Sequence, residues 1–332
     1  MMPLAERTLT PAPAPRRRRA RATVRRRSRP AARDWLEYLA LRAVFGVLAM
    51  LPLGVALRLG ELAAFAAYLL DRPHRRIGMK NLEIAFPEKS LRERRRILRA
   101  SFLNLGRMAA ELAHLPRLSA ERLREMVRFV DEDWWNEAVT WERSTGVLAL
   151  SGHFGNWELL VFAHGMRGQP AHMVHRAIAN PLVDEWLNAL RTRAGTRTIR
   201  KRDAARAVLA ALHEHGLLVL PFDQNSTRGL GVFVDFFAVP ASTNTGIARI
   251  ALRTDAPIVP IFIVREGRSA RHQVHVLPIM QVERTGDLRA DVEHNTQRFS
   301  LVFEEMVRRY PEQWLWMHKR WKTRPVGEPR LY

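Results

Sequence analysis

A histidine standing five positions before a carboxylate, His153 and Glu158, is the first place where this chain could do chemistry. An imidazole near its ordinary pKa of ~6.5 can take a proton from a hydroxyl at neutral pH. A carboxylate set against the ring holds its tautomer and supports the imidazolium as it forms. The spacing alone carries little weight: with 12 histidines and 33 acids in 332 residues, composition predicts about one such pair, and there is one. Its context carries more. Val147-Leu148-Ala149-Leu150 reads as a short apolar strand, followed by the turn Ser151-Gly152-His153-Phe154-Gly155 and a helix opening near Asn156. The histidine then stands at the carboxyl end of a strand, where parallel sheets carry their sites. Five residues along one helix turn about 500° and would point the two side chains apart. With His153 in the turn and Glu158 in the first helical turn, the carboxylate can meet the ring from one side. The competing reading is a structural histidine that caps its own turn.

The elements around that turn alternate. Leu91 to Leu112 has the spacing of an amphipathic helix, with Ile97, Phe102, Leu105 and Met108 on one face, and a second helix covers Ala120 to Val130. Beyond the turn, the expected helices are Leu182 to Arg193, Asp203 to His215, Ile247 to Arg253 and Ala290 to Tyr310. The expected strands are around Met173-Val174, over Leu217 to Phe222, Ile258 to Val264 and Gln273 to Ile279. Such alternation predicts an α/β sandwich with a mostly parallel central sheet.

The net charge of +21 is unevenly placed. Residues 1–33 hold eleven arginines and one acid, among Pro and Ala, and read as a disordered tail. An uncharged run of 15 residues, Ala43 to Leu57, lies between Arg42 and Arg58, with Pro52 placed to kink it. A full span takes about 20 residues, although flanking arginines lengthen a short one by snorkelling. A membrane-anchoring segment over 34–72, spanning or lying in the interface, is the expectation, against a buried helical hairpin. The positive-inside rule keeps the tail cytoplasmic. Nucleic-acid binding is disfavoured, because no recognition helix or aromatic platform accompanies the charge. With no cysteine, thiolate catalysis, thiolate metal ligation and disulfides are excluded.

The run Ser151-Gly152-His153-Phe154-Gly155-Asn156-Trp157-Glu158 resembles the signature of the bacterial lipid A biosynthesis acyltransferases, relatives of the glycerolipid acyltransferases with a His-x4-acid motif. Further blocks agree in order. They are Asn81-Leu82 with Phe86-Pro87; Arg176, Asn180-Pro181 and Asp184; Asp223-Gln224 with Val232 to Phe237 and Thr243; Ile258-Val259-Pro260; and Pro311 to Trp316 with Arg320-Trp321-Lys322. Three positions depart from the pattern: His175 replaces an expected aromatic, Ala238 an expected glycine, and Pro221-Phe222-Asp223-Gln224 lacks the Glu-Gly-Thr core of glycerol-phosphate acyltransferases.

The resemblance implies a glycerolipid-acyltransferase-like catalytic domain over 73–332, on the cytoplasmic face of a bacterial inner membrane. It implies acyl transfer from a thioester on acyl carrier protein to a hydroxyl of a glycolipid, with no cofactor and no metal. His153 would be the general base and Glu158 its orienting partner. Arg176 would contact a phosphate or the developing oxyanion, with a salt bridge to Asp184 or Glu185 as the alternative. Asn156, Asn180, Asp184, Asp223 and Gln224 complete the expected substrate-binding set; Asn180-Pro181 is equally a plain helix start. Trp314, Trp316 and Trp321 suit a membrane interface and buried packing alike. Two rivals remain. One is an acyltransferase of mannosylated phosphatidylinositol or another lysophospholipid. The other is a metal-dependent hydrolase using His153, Glu158 and another histidine such as His164 or His175, which lacks a His-Glu-x-x-His pattern.

Overall fold

The computed structural model describes residues 30–332 apart from 141–145, 167–170, 194 and 201–203. The arginine-rich tail over 1–29 lies outside the described residues. The chain opens with helices α1 (Ala31–Met50), α2 (Leu53–Leu70), α3 (Arg72–Ala85) and α4 (Leu91–His114). Next come α5 (Ala120–Met126), β1 (Val127–Val130), α6 (Glu132–Thr140), β2 (Val147–Ser151), α7 (Trp157–Gly165), β3 (Ala171–His175), α8 (Pro181–Thr192) and β4 (Arg197–Arg200). The rest is α9 (Ala204–His213), β5 (Leu217–Pro221), β6 (Gly231–Phe236), β7 (Val239–Asn244), α10 (Gly246–Thr254), β8 (Ile258–Arg265), β9 (His272–Val276) and α11 (Leu288–Arg309).

Seven strands form one sheet in the order β1-β9-β8-β2-β5-β3-β4, and β6 and β7 form a separate antiparallel hairpin. Every pairing in the large sheet is parallel except β8 with β9. The protein is thus mixed α/β with a mostly parallel sheet. Strands β2 and β8 are buried along their whole length and apolar except at their last residues, Ser151 and Arg265, as strands covered on both faces must be. Leu148 and Leu150 face one core, with Phe262, Phe299, Phe303 and Trp314. Val147 and Ala149 face the other, with Leu159, Phe162 and Leu190 from α7 and α8.

Several boundaries differ from expectation. The helix expected over Ala120 to Val130 stops at Met126, because Val127–Val130, with two valines and a phenylalanine, pairs in parallel with β9. The run Ala43 to Leu57 is not one helix. Pro52 does not kink it but ends it: Leu51 is extended, and α2 begins anew with Pro52 as its N-cap. The three tryptophans of the C-terminal segment are almost wholly buried, which decides for packing over an interfacial role. That segment is strapped down from the helical layer: Asn81 donates to the carbonyls of Trp316 and His318 at 2.7 Å, and the Ser101 hydroxyl to that of Trp314 at 2.6 Å.

Candidate active site

The parallel strands β2, β5 and β3 are neighbours, so the residues that follow them meet at one edge of the sheet. His153 follows β2, Asp223 and Gln224 follow β5, and Arg176 follows β3. Two glycines shape the first of these crossings. Gly155 has φ +59°, and a Cβ there would overlap the carbonyl oxygen of Ile263. Gly152 leaves room for the second carboxylate: its Cβ would stand 2.7 Å from Cγ of Asp223. The turn is stitched to the C-terminal strap, with Gly155 donating to the Gln313 carbonyl at 2.8 Å and Leu315 to that of His153 at 3.1 Å.

The carboxylate on the His153 ring is that of Asp223. Its Oδ1 lies 2.9 Å from Nδ1 of His153, and its Oδ2 accepts from the His153 backbone at 3.1 Å and from the Trp314 indole at 2.9 Å. Burial works to raise the Asp223 pKa, but the His153 charge and these hydrogen bonds hold it at about 2. An ionised carboxylate only accepts, so the neutral ring carries its proton on Nδ1 and leaves Nε2 as the base. Burial lowers the His153 pKa, yet Asp223, helped by Glu158, outweighs it and the net direction is up. The ring is about one-fifth exposed, with Trp157 edge-on at 5.0 Å and the exposed Gln224 amide 3.3 Å from Nε2.

Glu158 is therefore corrected as the orienting partner. Its side chain points back from the first turn of α7 and forms a two-pronged ion pair with Arg191 on α8, Nε to Oε2 at 2.8 Å and Nη2 to Oε1. The pair is nearly buried, and its charges reach His153 through space, Glu158 raising and Arg191 lowering its proton affinity. Arg191 is a residue beside the site that sequence reasoning did not single out. The available signal was a guanidinium beside Leu187 and Leu190, which pack inward from the same helix.

Three residues expected to contact substrate have polar atoms engaged inside the protein. Asn156 is the N-cap of α7, accepting from the Leu159 amide at 3.0 Å and donating to buried Glu111 at 2.7 Å. Glu111 in turn pairs with Arg265 on β8 and lies 3.0 Å from His272 on β9. Asn180 caps α8 and donates to the Asp34 carbonyl of α1 at 2.9 Å. Asp184 accepts from the Ile178 amide at 2.9 Å and lies 3.5 Å from Arg200. Arg176 stands exposed on the rim, while Asp184 is engaged elsewhere.

His318 is a second histidine at the site that the sequence did not flag. Its Nε2 accepts from the Asn225 amide at 2.9 Å, steadying the segment that bears Gln224. Burial, reinforced by Arg320 and His153, outweighs Asp223 and holds its pKa at about 4, so it stays neutral. Among the described residues, no three or more His, Asp or Glu side chains stand together as metal ligands. The arrangement amounts to a polarised imidazole whose second nitrogen faces the exposed Gln224 amide, at a sheet edge rimmed by that amide and an arginine. It suits removal of a proton from a hydroxyl that attacks an acyl group.

Comparison with known proteins agrees with that chemistry. The family model for bacterial lipid A biosynthesis acyltransferase matches residues 23–323. The lipid A biosynthesis palmitoleoyltransferase and lauroyltransferase of Escherichia coli K12 are each 29% identical to this chain, over 90% of it and 95% of their own length. The myristoyltransferase of the same organism is 28% identical, over 90% and 91%. A match that runs from ahead of α1 through the histidine turn to the C-terminal strap makes this chain an acyltransferase of the bacterial lipid A biosynthesis family.

Proposed function

We propose that the protein transfers a fatty acyl group from a thioester on acyl carrier protein to a hydroxyl of a lipid A precursor, at the cytoplasmic face of the inner membrane. The observation that carries this reading is the 2.9 Å pairing of His153 Nδ1 with Asp223 inside the family motif. Nε2 of His153 takes the proton from the acceptor hydroxyl as its oxygen attacks the thioester carbonyl. The C–O bond forms, the C–S bond breaks, and the proton passes from Nε2 to the departing thiolate. Asp223 keeps the ring in the right tautomer and balances the imidazolium. Glu158 and Arg191 act as a buried charge pair beside it rather than as proton carriers. Arg176 and Gln224, exposed on the same edge, are the groups we assign to acceptor phosphate and reacting oxygen.

The test is mass spectrometry of glycolipid after incubating the membrane-bound chain with acyl carrier protein thioester and a precursor bearing a free hydroxyl. A product heavier by one acyl group, lost in His153→Ala, is expected. Equal rates with free fatty acid would overturn the thioester donor. Acylation of mannosylated phosphatidylinositol instead would overturn the acceptor. Outside the tail the chain carries about +11, so docking of an acidic carrier predicts turnover that falls as salt rises.

A further inference from the structure

Helices α1 and α2 meet at an extended Leu51 and each is one-sided. On α1, Leu48 is buried and Phe45 packs edge-on to Trp186 of α8 at 4.9 Å. The opposite stripe, Leu36, Leu39, Val47 and Met50, is more than half exposed. On α2, Ala56, Leu57 and Gly60 are buried, whereas Leu62 and Leu70 are 65% and 81% exposed. Among the described residues α2 alone is long and apolar enough to cross a membrane. Its packing argues against crossing.

Gly60 and Gly106 bring the backbones of α2 and α4 into contact: a Cβ on either would overlap the carbonyl oxygen of the other. Glu61 ties the same stretch to Arg107 of α4 and to Arg268 of the β8–β9 loop. The other end of α2 lies beside the arginines of α4. Arg99 stacks on Phe65, with its guanidinium 5.2 Å from the ring centre, and one cleft of about 880 Å³ is lined by Phe65, Tyr68, Leu69, Arg92, Arg95 and Arg96. A perpendicular α2 would carry this α4 face, ions included, into hydrocarbon. Each ionised side chain carried to mid-bilayer disfavours that orientation.

We infer that α1 and α2 lie in the plane of the membrane as one docking surface, their uncovered stripes sunk into a single leaflet of anionic phospholipid. The inference rests on the membrane reading of the proposed function and adds the mode of attachment. Charge complementarity chooses the occupant. Arg92, Arg95 and Arg96 are exposed beside the apolar end of α2, placed to meet headgroup phosphates while the leucines enter the acyl region. Residues 1–29 carry ten further arginines, a composition unsuited to covering an apolar stripe.

The absence of cysteine makes the test direct. Single cysteines are placed in the full chain at Ala32, at Gly54, whose Cβ position is open, and at exposed Glu293 on α11 as a marker for the catalytic face. A membrane-impermeant maleimide is applied to inside-out and right-side-out inner-membrane vesicles. All three positions should react from the same side. Reaction of Gly54→Cys or Ala32→Cys from the opposite side overturns the in-plane mode while leaving membrane attachment standing. A bimane probe on Leu39→Cys and Leu62→Cys should shift to the blue on phosphatidylglycerol vesicles. Replacing Arg92, Arg95 and Arg96 by Gln should weaken binding to those vesicles by about a hundredfold and leave binding to neutral vesicles nearly unchanged. If the wild-type chain ignores vesicles and instead buries both probes in a dimer, the membrane reading and this inference both fail.

Discussion

Two buried carboxylates act on His153, and their settings differ. Asp223 follows a strand, is pressed against the turn by a neighbouring strand, and receives three hydrogen bonds, two of them from His153 itself. Glu158 rides on a helix, and its oxygens go to Arg191. The difference lies in the reach of the backbone. Strand ends one sheet spacing apart, about 4.8 Å, set a short side chain directly against the ring once Gly152 leaves room. A glutamate in the first turn of the following helix is carried away from the histidine as the helix departs. Contact with the ring makes Asp223 a tautomer-setting partner; an ion pair beside the ring makes Glu158 a source of field and rigidity.

The largest expected effect removes what both carboxylates serve. His153→Ala should cut turnover by about two to four orders of magnitude with little change in acceptor binding, measured by single-turnover acylation in lipid discs. Near-normal activity in a folded variant would dissolve the comparison. Asp223→Asn should follow, at about two to three orders, since the amide keeps shape but loses the charge that supports imidazolium. Gly152→Ala attacks the same contact without touching a charge, because its Cβ needs the space of the Asp223 carboxylate and of the Phe303 ring edge beside it. It should lose activity in the same direction but less, and a wild-type rate would show that the approach is not tight in solution.

Glu158→Gln should behave differently. It leaves the Arg191 guanidinium, only 12% exposed, without its partner. Breaking a buried pair from one side costs about 3 kcal/mol, so a lower thermal midpoint should accompany a loss in rate of about ten- to a hundredfold. A rate loss equal to that of His153→Ala with unchanged stability would mean that Glu158, not Asp223, serves the ring during turnover.

Much of this site is legible in the sequence. The apolar run Val147 to Leu150 and the glycine-flanked turn placed His153 at a strand end, and the strand before Asp223 gave that residue the same location. Which carboxylate meets the ring was not legible, because it depends on β2 and β5 being neighbours, a tertiary fact absent from local periodicity. Arg191 escaped for a related reason: its partner lies 33 positions away on another helix. Asn156 and Asn180 look like site residues in a linear motif, yet they are caps, and a cap and a ligand are written with the same amino acids. In the fold, β1 was hidden inside a helical stretch, since a four-residue strand with two valines and a phenylalanine declares itself only when β9 is alongside. The α1–α2 pair was legible as apolar but not as one-sided, because Gly60 and Gly106 disclose their contact only once two helices are laid together.

The smallest effect separates the two carboxylates most cleanly. The base must be neutral to work, so rate should fall as pH drops through the His153 pKa, and that acid limb should lie above 6.5 because the pKa is raised. Asp223→Asn removes the strongest raising influence and leaves burial and Arg191, both lowering, opposed by Glu158 alone. The residual activity should therefore show its limb displaced to lower pH. Glu158→Gln removes only a through-space influence, and its limb should move in the same direction by less. Changing Arg191 to Gln as well withdraws a lowering charge together with the raising one, so the limb of the double variant should return towards the wild-type position even though its rate does not. A double variant that stays at the Glu158→Gln position would show that Arg191 does not act on the ring. A Glu158→Gln limb displaced as far as that of Asp223→Asn would erase the distinction between contact and field on which the assignment of the two carboxylates rests.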